Sequence, residues 1–115
     1  MKKLIITRIG NERWQEIVEE NNRTARLGLA PLWELAEDHP FHPAGVEHDL
    51  AYLAAYELVR IGEPDLAVDV VKIADKEFKE TIYKLANENG SLWLKFQARL
   101  FSGLVSIYGS LRFKD

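Results

Sequence analysis

Glu47-His48-Asp49-Leu50-Ala51-Tyr52 and Ala74-Asp75-Lys76-Glu77-Phe78 stand on either side of a break at Gly62-Glu63-Pro64, and the reading of these three pieces decides the fold. Both longer pieces lie in apolar patterns of helical period. A glycine followed at two residues by a proline ends one helix and opens the next. Folding the two helices back on each other brings Asp75 beside His48. With the turn centred between residues 62 and 63, the two positions differ in height by two residues, about 3 Å at ~1.5 Å per residue, which a side chain can span. Val71, Asp75, Phe78 and Ile82 fall at i, i+4, i+7 and i+11, an apolar face interrupted by one carboxylate. His48, Tyr52, Ala55 and Val59 make the facing stripe. A charge in an apolar stripe is costly unless it is paired. His48 and Tyr52 are the partners within reach.

Working outward, the chain reads as all-α, a single small helical domain over 1–115 built around that antiparallel hairpin. The hairpin helices are expected from about Pro43 to Arg60 and from Pro64 to about Asn87, with Gly90 as a stop. Upstream, Asn11 is the expected N-cap of a helix in which Trp14, Ile17 and Val18 recur at helical spacing to about Arg26. Downstream, a helix is expected from Ser91 to roughly Arg112. Leu4 to Ile9 reads as a short N-terminal strand or extended arm. Gly28, Pro31, Pro40 and Pro43 make residues 28–43 irregular, with a short helical turn around Leu32 to Ala36.

Composition bounds the function. There is no cysteine, hence no disulfide framework and no thiolate metal site. The net charge of −3 gives no reason to expect nucleic acid as a partner. The charge is uneven, however. Residues 90–114 hold Lys95, Arg99, Arg112 and Lys114 and no acid, whereas the preceding 89 residues hold 11 bases against 17 acids. Lys2 and Lys3 precede only a short apolar run, and no run approaches the ~20 apolar residues of a membrane span. The expected location is therefore cytoplasmic or within a virion. The C-terminal helix carries more apolar groups than one helix can bury in a small monomer: Leu92, Trp93, Leu94, Phe96, Leu100, Phe101, Leu104, Val105, Ile107, Tyr108, Leu111 and Phe113. The excess is expected to meet a partner subunit, giving a homo-oligomer, ahead of a phospholipid or membrane surface.

His-Asp-x-x-Tyr on one helix facing Ala-Asp-x-x-Phe on an antiparallel second resembles the phospholipase A2 superfamily, in the cysteine-free branch found in parvovirus capsid proteins. The likeness covers roughly residues 28–78, with a looser one in the aromatic, basic C-terminal helix. It implies that His48 is the general base toward the water attacking an ester carbonyl. Asp49 would be the carboxylate ligand of a calcium ion. Asp75 would accept a hydrogen bond from the far nitrogen of His48 and fix its tautomer, with Tyr52 securing Asp75. The remaining calcium ligands would be backbone carbonyls of the Gly28–Pro31 loop, those of Gly28 and Ala30. That loop lies 20 residues before His48, but Ala30 stands where the family has its second glycine. The expectation is therefore a loose calcium site and slow hydrolysis.

A group of small phage proteins has a similar layout. The competing reading is accordingly a non-catalytic phage or prophage protein, a virion or host-interaction component in which the His48–Asp75 network fixes helix register. His39 and His42, with Glu37 and Asp38, match no metal-ligand spacing and read as a polar, proline-flanked loop. Trp14, Trp33 and Trp93 read as core or interface packing.

Overall fold

The computed structural model describes the backbone of residues 1–26 and 39–112, and the side chains of 1–23 and 39–107. The described chain is all helical: α1 Lys2–Ile9, α2 Asn11–Arg26, α3 His42–Arg60, α4 Pro64–Asn89 and α5 Leu92–Arg112. Gly28, Ala30, Trp33, Glu37, Asp38 and the short turn expected around residues 32–36 lie outside the described residues.

Residues 2–9 are a helix, and the strand expected at Leu4 to Ile9 is not formed. An isolated strand has no ladder in which to place its backbone groups. Ile5 and Ile9 fall instead at i and i+4, and Ile5 is buried in one core cluster with Trp14. Gly10 then turns the chain at φ 90°, its amide donating to Ile6 O at 2.9 Å while its carbonyl accepts from Trp14 N at 3.0 Å. Gly10 thus ends α1 and holds the cap place of α2, so Asn11 is the first helical residue rather than the cap. Along α2, Trp14, Ile17 and Asn21 are buried at i, i+3 and i+7.

The α3–α4 hairpin forms as the glycine and proline dictate. Gly62 has φ 87°, Glu63 N donates to Leu58 O at 2.8 Å and Gly62 N to Val59 O at 3.1 Å, the doubled closure of a Schellman motif. Pro64 opens α4 in its first turn, where its missing N–H costs nothing. Gly90 ends α4 in the left-handed region at φ 67°, the stop expected, although the helix runs to Asn89, two residues past the expected Asn87. Ser91 then caps α5, its Oγ accepting from Leu94 N at 3.3 Å.

On α4, Ala67, Val70, Val71, Ala74, Phe78, Ile82 and Ala86 are buried in one continuous stripe. On α3 the buried surface is wider, because that helix meets α1 and α2 on one side and α4 on another. The facing stripe differs in one place from expectation: Val59 is 48% exposed, and Leu58, fully enclosed, takes the inner position. Two apolar clusters result. Ile5, Trp14, Tyr52, Leu58 and Val70 belong to one, and Phe41, Phe78, Ile82, Phe101 and Val105 to the other. Among the described residues, no helix is long and apolar enough to cross a membrane.

Candidate functional site

The hairpin closes on a polar centre at the seam between the two apolar clusters. Tyr52 belongs to one cluster and Phe78 to the other. The imidazole of His48 packs against both, with centroid distances of 4.5 Å to Tyr52 and 5.0 Å to Phe78. Its Nε2 lies 2.7 Å from Oδ1 of Asp75. Tyr52, one turn along α3 from His48, donates its hydroxyl to the same oxygen at 2.9 Å. His48, Asp75 and Tyr52 are therefore brought together across the α3–α4 interface, as the spacing predicts.

An ionised Asp75 offers only acceptors, and with it Nε2 of His48 carries the hydrogen of this contact. In the neutral ring the lone pair then resides on Nδ1. A histidine with one nitrogen tied to a carboxylate and the other basic is equipped to take a proton from water or a hydroxyl. His48 also lines an open cleft of about 740 Å³. Ile5 of α1, Trp14 and Asn21 of α2, Ala51 of α3 and Val70 and Ile73 of α4 are among its other walls.

Asp49 occupies a different position. Consecutive helical residues point ~100° apart, and Asp49 is half-buried and outside the wall of that cleft. Desolvation pushes its carboxyl up to about 6, against the smaller opposing pull of His48. Burial favours the protonated, neutral form of this carboxyl, and when ionised Asp49 would offer one hard oxygen to a metal site. Among the described residues there is no group of three or more His, Cys, Asp or Glu side chains placed to hold a metal. Further oxygens would have to come from backbone carbonyls. Gly28 and Ala30, the residues expected to offer them, lie outside the described residues.

His39 is taken up by structure: its Nδ1 accepts from Phe41 N at 3.0 Å and its Nε2 meets Gln97 Oε1 at 3.3 Å. Asn21 and Glu57, both buried, are among the polar residues that escape a reading by motif. Asn21 donates its Nδ2 to Val46 O at 3.0 Å, tying α2 to α3 at the edge of the cleft. Its signal is a polar residue at i+7 on the Trp14–Ile17 face. Glu57, also buried, is clamped by Arg60 from its own helix and by Arg13 of α2. Hydrogen bonding to Arg60 is the main influence holding its carboxyl below the ordinary glutamate value.

Comparison with known proteins returns no family model, no curated protein and no solved structure that matches this chain.

Proposed function

We propose that the chain is a phospholipase A2-like, calcium-dependent acyl-ester hydrolase or a diverged relative of one, with His48 as its general base. The observation that supports this is the 2.7 Å contact between His48 Nε2 and Asp75 Oδ1, secured by the Tyr52 hydroxyl on the same oxygen. In this reading His48 Nδ1 accepts a proton from the attacking water. Asp75 holds the resulting imidazolium in place and balances its charge, and Tyr52 keeps Asp75 from rotating away. Asp49 and the carbonyls of Gly28 and Ala30 would hold calcium, which when bound polarises the ester carbonyl and stabilises the developing oxyanion. The acyl chain would lie against an apolar wall, and the substrate class would be a phospholipid or a similar ester.

A second reading is favoured by the near-complete enclosure of His48, 6% exposed between two aromatic rings. There the network only fixes the register of α3 against α4, and the protein serves as a non-catalytic phage structural or host-interaction component. Hydrolysis of phospholipid in mixed micelles, followed for the wild type with calcium, with chelator and as His48→Gln, separates the two. Calcium-dependent cleavage that vanishes in His48→Gln supports the enzyme. A folded wild type that cleaves nothing with calcium supplied removes it and leaves the structural reading.

A further inference from the structure

Helix α5 has two apolar faces, and the fold uses one. Ala98, Phe101, Ser102 and Val105 are buried against the body of the protein. Leu92, Phe96, Leu100, Gly103 and Ile107, at i, i+4, i+8, i+11 and i+15, share another line of the helix, and all are exposed. Leu92 is 82% exposed, Phe96 57% and Ile107 60%. Trp93, 64% exposed, stacks on Phe96 at 5.7 Å between ring centroids. Single exposed apolar side chains are ordinary, but a row some ~22 Å long marks a surface that meets something.

The edge of that row is cationic. Lys95 and Arg99 are exposed at i and i+4 along it. Ser106, at i+11 on the same line, accepts a hydrogen bond from the ammonium of Lys79 on α4, which brings a third cation to the edge. Residues 90–114 contain no acid.

We propose that this face of α5 docks on an anionic lipid surface. The Leu92–Ile107 row would sink into the interface, and Lys95, Arg99 and Lys79 would lie against the headgroups. Tryptophan, phenylalanine and aliphatic side chains beside a lysine and arginine edge are the composition that interfacial helices use. A second copy of the chain complements the face less well. Antiparallel two-fold pairing sets the cationic edge of one α5 against the same edge of the other, and parallel pairing offers no acid from either. The docking is independent of hydrolysis at His48, because no described α5 residue lines the His48 cleft.

The test uses the full chain with vesicles of phosphatidylcholine alone, or of equal parts phosphatidylcholine and phosphatidylglycerol. Binding is read by co-sedimentation and by tryptophan emission, with Trp93→Phe isolating the signal of that residue. The expected result is binding to the anionic vesicles, a blue shift absent from Trp93→Phe, and weakening as salt is raised. Lys95→Gln with Arg99→Gln should weaken binding about twenty-five-fold, at about fivefold per cation. Both side chains are exposed, and circular dichroism checks that the variant keeps its helices; should it not, the salt response of the wild type decides. No binding to anionic vesicles at low salt overturns the proposal, as does equal, salt-insensitive binding to both vesicle types. A lipid-free dimer that shields Trp93 would overturn it in favour of a second copy.

Discussion

Nε2 of His48 and Oδ1 of Asp75 meet at 2.7 Å across the interface of α3 and α4, and the same oxygen receives the hydroxyl of Tyr52 at 2.9 Å. One carboxylate oxygen thus binds two donors from successive turns of the facing helix, at the seam where the two apolar clusters join. Removing the carboxylate strands both donors in apolar surroundings. Asp75→Ala should lower stability by ~1–3 kcal/mol, as measured by urea unfolding. A change below ~0.5 kcal/mol would show that the network holds nothing together.

Asp49, one residue along α3, should respond in the opposite sense. Its carboxyl is raised by burial to about 6 from an ordinary value of 3.8. The folded state therefore holds the proton more tightly than the unfolded chain, and stability falls as pH rises from about 4 through about 6. Asp49→Asn should remove that slope and stabilise the calcium-free protein at neutral pH by about 1–3 kcal/mol. Thermal unfolding of both proteins between those pH values measures it. An unchanged slope would place the titration elsewhere.

Glu57 should give a contribution on the acid side. Its carboxyl is held low, chiefly by the hydrogen bond from Arg60 and further by Arg13. A depressed folded value stabilises the protein above the ordinary glutamate range, ~4.3. That stability is lost as pH falls through the folded value. Glu57→Gln should therefore destabilise the protein at neutral pH and matter progressively less as pH falls below the ordinary glutamate range. The difference between the two unfolding curves at neutral and acid pH is the observable.

The proposed activity fixes the pattern expected for calcium and catalysis. A single described carboxylate with backbone carbonyls should bind calcium in the ~10⁻⁴–10⁻³ M range. Titration calorimetry should find that Asp49→Asn abolishes this binding. His48→Gln should leave calcium binding intact and abolish phospholipid hydrolysis. Loss of calcium binding in both variants would tie His48 to the ion rather than to the proton.

The hairpin was legible in the sequence because its signals are local and agree. Gly62 and Pro64 set the turn, and arms that differ by only two residues then bring His48 to Asp75 with Tyr52 one turn away. The N-terminal helix was not legible in eight residues whose isoleucines run together. Its helical face emerges from the packing of Ile5 in a core cluster with Trp14 of α2. Val59 and Leu58 exchanged places because α3 is buried on more than one side, and a single facing stripe does not describe such a helix. Asp49 adjoins His48 in sequence, but the ~100° step between neighbours on a helix sets it outside the cleft wall that His48 joins. The surplus of apolar groups in α5 was visible from composition. Their division into a packed face and an exposed row bordered by Lys95 and Arg99 required the structure.

Nitrogen-15 spectroscopy of the histidine rings tests the central claim most directly, namely that Asp75 and Tyr52 hold His48 as a base with its lone pair on Nδ1. At a pH where the ring is neutral, His48 should show a protonated Nε2 and an unprotonated Nδ1. Asp75→Asn should shift that balance. A wild-type His48 carrying its proton on Nδ1, or exchanging rapidly between both tautomers, would contradict the account.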